Sequence, residues 1–175
     1  MTSRHHIPNP EAVEPSELGL SGLLAAAAEC EAVLRETAVH QLRVAYEWAI
    51  AHPVVDASSS AETAAGPVLP SVLETPETLG GAGTPAVAAF TAEPLAVACG
   101  IAPTAATALL ADALDLHHRL PVLWDHTVAG LVPAWKARRV AVRTRHLPLD
   151  AAKWLDRQIA GRVSSLGVAA WDRVF

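Results

Sequence analysis

The sequence predicts an all-α protein, a multi-helix array with a long N-terminal helix and a helix-turn-helix-like hairpin. Three observations carry this expectation. Apolar residues make up 51% of the 175 positions, enough for a real core. Aromatics are only 5%, while alanine occupies 36 positions. A core of that kind suits closely packed helices better than a β-sandwich, which draws on β-branched and aromatic residues. Apolar residues also recur at three- and four-residue steps, in segments punctuated by Pro and Gly. The chain divides on this basis into a disordered tail (1–17), a long amphipathic helix (18–51), a flexible linker or insert (52–90) and a helical domain (91–175).

The long helix is justified by Leu20, Leu23, Leu24, Ala27, Cys30, Leu34, Ala38, Leu42, Ala45 and Trp48, which follow one helical face. Ser21 is its expected cap. His52-Pro53 is its expected stop, because the residue before proline resists the α conformation. Over 52–90 the period disappears. Five prolines interleave with Ser58-Ser59-Ser60 and Gly80-Gly81-Ala82-Gly83, a composition that reads as linker. Beyond it, Thr91 caps a helix ended by Gly100, and Pro103 opens another that runs to about His118. Pro121 opens a third, ended by Gly130. Pro133 opens a fourth, broken at Pro148, and Asp150 caps a fifth through Ser165. The segment Val168–Phe175 is apolar and uncapped, so a helix cut short within a longer parent protein is expected there.

Charge is divided along the chain. Residues 1–115 hold 3 Lys+Arg and 14 Asp+Glu, a charge of −11; residues 116–175 hold 10 and 4, a charge of +6. The fourth helix of the second half concentrates Lys136, Arg138, Arg139, Arg143 and Arg145 with no acid among them. Lys136, Arg139, Arg143 and His146 share one arc, Arg138 and Arg145 lie on another, and Trp135 and Val142 sit between them. Ala134, Ala137, Val140, Ala141, Thr144 and Leu147 form the opposite, core-like face. A basic arc interleaved with an aromatic suits a surface that tracks phosphates. The competing expectation is that these arginines pair with the acidic part of the same protein.

Thr91–Leu110 has helix-turn-helix spacing, with Ala96 and Gly100 at the small-residue positions and Leu95, Cys99, Ile101, Ala106 and Leu109 as buried contacts. Its second helix lacks Arg, Lys, Gln and Asn for base edges, and Asp112 would repel phosphates, so a structural hairpin is expected. Cys30 and Cys99 form no Cys-x-x-Cys pair and read as small buried hydrophobes in a reducing compartment. The N-terminus lacks the apolar core of a signal peptide, and apolar runs are interrupted before about 18 residues, so a cytoplasmic protein without a membrane span is expected. No metal-ligand spacing, nucleophile elbow or phosphate-cradling glycine loop is present in the sequence.

Taken in order, several stretches resemble a known family. They are Leu95–Pro103 (Leu-Ala-x-x-x-Gly-Ile-x-Pro), Arg119–Pro121, Gly130–Val132, Ala137–Val140 (Ala-Arg-Arg-Val) and Leu147–Asp150. Together with the Glu29-Cys30-Glu31 segment of the opening helix, this order resembles domain of unknown function family 222, the thirteen-E-twelve repeat family of bacteria. The resemblance implies an N-terminal domain of a protein that ends in an HNH endonuclease module, with phosphodiester cleavage performed by that module. The HNH module's paired histidines and asparagine have no counterpart here, Asn9 being the only asparagine. No catalytic residue is therefore carried over, and any divalent metal would belong to the missing module.

The resulting expectation is a non-catalytic accessory domain without a cofactor. It contacts DNA phosphates non-specifically through Lys136, Arg138, Arg139, Arg143 and Arg145, with Trp135 stacking. The alternative is a protein–protein interaction or dimerisation module, a homodimer through the 18–51 helix, without nucleic-acid binding.

Overall fold

The computed structural model describes residues 14–54 and 75–163. After a single 3₁₀ turn, Pro15–Glu17, come α1 (Leu20–Ile50), β1 (Pro76–Glu77), β2 (Val87–Ala88), α2 (Ala92–Cys99), α3 (Pro103–Arg119), α4 (Pro121–Val128), α5 (Ala134–Thr144) and α6 (Leu149–Val163). Among the described residues this is an all-α multi-helix array with one two-stranded ribbon. The expectations for residues 1–13, for 55–74 of the linker and for Val168–Phe175 lie outside the described residues.

The helix ends follow local chemistry. Pro103 and Pro121 sit at the first turns of α3 and α4, where a missing N–H costs nothing. Gly100 ends α2 in the left-handed conformation (φ 66°, ψ 32°) that glycine adopts without strain. Three expected caps are corrected. The α1 ladder starts two residues before Ser21, with the Leu23 N–H donating to the Gly19 carbonyl at 3.0 Å. The Thr91 hydroxyl donates back to the Ala88 carbonyl at 2.5 Å instead of capping α2. Asp150 lies inside the first turn of α6.

The division into compact units falls inside α1, between Leu34 and Arg35. The first unit comprises residues up to Leu34, and its part of α1 leaves Leu20, Leu24, Val33 and Leu34 exposed. The second unit holds the core. The sequence places a boundary at 51, but Leu42, Ala45 and Ala49 are each only 1% exposed, so this end of α1 belongs to the helical domain. Cys30 and Cys99, expected to be buried, are both exposed. Cys30 lies on the uncovered part of α1, and Cys99 ends α2 next to its exposed glycine cap.

At the centre of the second unit is α3, which packs against α2, α4, α5 and α6. Every residue from Leu109 to Leu116 is buried, including Asp112 and Asp115. The chain bends by 111° between α2 and α3, within the range of helix-turn-helix units. Leu95, Ala96, Ala106 and Leu109 are buried as the spacing predicts, while Ile101 is only partly covered. No single helix among the described residues is long and apolar enough to cross a membrane.

The linker expectation is corrected over residues 75–90. Strands β1 and β2 pair antiparallel, with Pro76 opposite Ala88 and Glu77 opposite Val87. Pro53 bridges Val87 from the other side, and the Ala88 N–H donates to the His52 carbonyl at 3.0 Å. Val87 is 1% exposed and belongs to the core. The Trp48 indole donates to the Thr91 carbonyl at 2.8 Å, which ties the end of α1 to the start of α2.

A second tie is aromatic. Tyr46 of α1 stacks on His117 of α3 with ring centroids 3.9 Å apart, and Trp124 of α4 closes the group. His117 Nδ1 and His118 Nε2 are buried without a hydrogen-bond partner. Burial holds both imidazoles below their ordinary pKa of 6.5. Glu47 and Asp125 oppose this at His117, whereas His117 itself and Lys153 add to it at His118. The unfolded chain therefore binds more protons than the folded one just below pH 6.5. Stability is complete above that pH and falls as pH drops towards the lowered folded values. Thermal melts between pH 7.5 and pH 5.5 should show this loss, and His117→Phe should make the dependence shallower. Equal slopes in the two proteins would count against this assignment.

Candidate nucleic-acid interface

The basic helix of the sequence is α5. Its core face is placed as the pattern requires, with Ala134, Ala137, Val140, Ala141 and Thr144 all buried. The cations flanking that face have three different fates. Arg138 and Arg145 border it on the side of α3, Lys136 borders it on the other side, and Arg139 and Arg143 point outward with Trp135, Val142 and His146.

Arg138 and Arg145 meet the two buried carboxylates of α3. Arg138 Nε donates to Asp112 Oδ2 at 2.7 Å. Arg145 donates from Nη2 to Asp112 Oδ1 at 2.7 Å and from Nε to Asp115 Oδ2 at 2.6 Å. Asp115 Oδ1 accepts two further bonds, from the Gly81 N–H at 2.7 Å and from Arg119 Nη1 at 3.1 Å. Arg119 is 1% exposed. Its guanidinium also donates to the carbonyls of Thr144, Arg145 and Leu147 at 2.8–2.9 Å. Thr144 and Arg145 close α5 and Leu147 follows just beyond it, and a cation at that end complements the helix dipole. Burial pushes the Asp112 carboxyl above its ordinary value despite the opposing pull of Arg138 and Arg145. A similar role falls to Asp156 of α6, which accepts the Val122 and Leu123 N–H groups at 2.9 and 3.0 Å and so caps α4.

Gly80 and Gly81 are part of this network. A Cβ on Gly81 would stand 1.5 Å from Arg119 Nη1 and 2.4 Å from the Arg145 carbonyl. Here glycine permits close approach of the backbone to a buried cation, not freedom of the chain.

The six sequence-predicted residues therefore separate. Lys136 is corrected: it is 7% exposed, because its position beside Val140 on the helix draws its stem under cover, with the ammonium 5.7 Å from the Trp135 ring. Arg138 and Arg145 are held by α3, as the competing pairing expectation required, though about a third of each side chain stays exposed. Trp135, Arg139 and Arg143 remain outward and, with Arg138, Val142 and Asp112, line an open groove of about 370 Å³. Sequence reasoning missed Asp115 and Arg119 and misread Asp112. A usable signal was there: carboxylates inside the otherwise apolar run Leu109–Leu116 need buried partners, and Asp115 and Arg119 stand at i,i+4.

The second helix of the hairpin is the core of the molecule and cannot enter a groove along its length. Only its start is exposed, and there Thr107 spends its hydroxyl on the Pro103 carbonyl. Among the described residues, fold and surface together are those of an all-α helical array with a basic, aromatic-bearing face on α5. No protein-family model, curated protein or solved structure matches the chain.

Proposed function

We propose that this chain is a non-catalytic accessory domain of an HNH-endonuclease-type protein and that α5 contacts DNA phosphates without reading sequence. One observation carries the reading. The outward face of α5 presents Arg139 and Arg143 beside Trp135 and Val142, and α5 contains no acid. The two carboxylates of α3 do not neutralise this face. They are shared by Arg119, Arg138 and Arg145, so that cluster is itself net positive. Asp112 also fixes Arg138 from behind through Nε, a preorganised guanidinium suited to a phosphate oxygen. The resemblance to family 222 supplies the endonuclease context, and Trp135 offers a ring for an unpaired base.

Fluorescence anisotropy with labelled duplex and single-stranded DNA tests this. Binding at about 50 mM salt should weaken steeply with added salt and vary little with sequence. Arg139→Ala and Arg143→Ala should each reduce the salt slope by about 1. An absence of binding at low salt would sink the reading. It would leave the alternative, a protein-interaction module without nucleic-acid binding, which the exposed leucines of α1 favour.

A further inference from the structure

We infer that the groove on α5 takes single-stranded DNA in preference to duplex, with an unpaired base laid on Trp135 and the neighbouring phosphates on the flanking arginines. This rests on the phosphate-contacting reading above and names the form of DNA that the same surface selects. The order of side chains around the helix carries it. At about 100° per residue, Trp135 and Val142 form the central column of the outward face. Arg138 stands about 60° to one side of Trp135, and Arg139 and Arg143 stand about 40° and 80° to the other. The centre of the face is therefore apolar and both edges are cationic. Trp135 is 45% exposed and Val142 51%.

That order fits an unpaired strand. The outside of a duplex is sugar and phosphate, with the bases stacked inward. Contact with it would set the central Trp135 and Val142 against charged groups and leave their apolar surface without a partner. A single strand offers the flat faces of its bases as well as its phosphates. One base over Trp135 covers the apolar centre, and the phosphates on either side of it fall towards the two basic edges. Asp112 of α3 lines the groove together with α5. The site is thus a groove edged by two helices, not a ridge that could enter the major groove of a duplex. Its volume of about 370 Å³ lies at the low end for small-ligand sites, which suits a nucleotide and not the breadth of a duplex. The parts are also held in advance. The Lys136 ammonium lies 5.7 Å from the centre of the Trp135 ring, within cation–π range. Asp112 Oδ2 accepts from Arg138 Nε at 2.7 Å and leaves 36% of that arginine side chain exposed. Groups already in place lose little freedom on binding.

Fluorescence anisotropy on the full chain reads this with labelled probes of equal length: an all-thymine single strand, an abasic single strand and a duplex. At about 150 mM salt the thymine strand should bind about tenfold more tightly than either of the others. Trp135→Leu keeps an apolar side chain and removes the ring. It should weaken binding of the thymine strand about tenfold while leaving duplex affinity and both salt slopes unchanged, and Trp135→Phe should restore part of the loss. A Trp135 that only supports α5 would move every probe together. Equal affinity for single strand and duplex, or for strands with and without bases, overturns the inference and leaves phosphate contact standing. An equal loss on all probes in Trp135→Leu does the same. No binding of any probe at about 50 mM salt overturns both readings.

Discussion

Gly81→Ala is expected to destabilise the helical domain by about 3–5 kcal/mol, the range for breaking a buried ion pair. The methyl group would occupy the place of Arg119 Nη1, so either the loop or the guanidinium must move. If Arg119 moves, its bonds to the carbonyls of Thr144, Arg145 and Leu147 weaken together, and its charge is left buried. If the loop moves, Asp115 loses the Gly81 N–H, and the chain leading into β2 loses its anchor. Either outcome takes a large share of a domain's usual 5–15 kcal/mol. Urea denaturation followed by circular dichroism measures it. A midpoint within error of the parent would mean that this loop does not pack on Arg119.

Asp115→Ala should cost a similar amount, about 3–5 kcal/mol, by removing the acceptor from three donors at once. The Gly81 N–H and Arg119 Nη1 would lose Asp115 Oδ1, and Arg145 Nε would lose Oδ2. Arg145 would retain Asp112, whereas Arg119, 1% exposed, would retain only carbonyl partners. Asp115→Asn should cost less, since an amide oxygen can still accept from Gly81. Because both substitutions strike one network, the double variant Gly81→Ala with Asp115→Ala should fall short of the sum of the two. Strict additivity in denaturation would show that the loop and the carboxylate act separately.

Much of the fold was legible because helix ends are local events. Gly100, Pro103, Pro121 and Gly130 act through their own backbone preferences, and the helices stop or start within a residue or two of where these stand. The core face of α5 was legible for a related reason: periodicity reports which side is apolar. What the sequence could not resolve were choices made by tertiary contact. Two adjacent glycines mean freedom in a linker and close approach beside Arg119, and composition does not separate the two. Asp112 was read as repelling phosphate because its partners lie 26 and 33 positions away. Lys136 and Arg139 looked alike on a helical wheel, yet one is covered and the other exposed. Leu34 and Leu42 sit on one stripe, and only the fold decides that the second is core.

The ribbon around Val87 bears on how this chain can vary. Val87 is paired with Pro53 on one side and Glu77 on the other, so it is the middle of three adjacent backbones. With neighbouring strands about 4.8 Å apart, Pro53 and Glu77 stand only about 10 Å from one another across Val87. Three or four extended residues could span that gap. Because the closure cost of a loop grows only with the logarithm of its length, the number of residues between these two points is nearly decoupled from the stability of the domain. A change in that number is therefore expected to leave the helices on either side in their places.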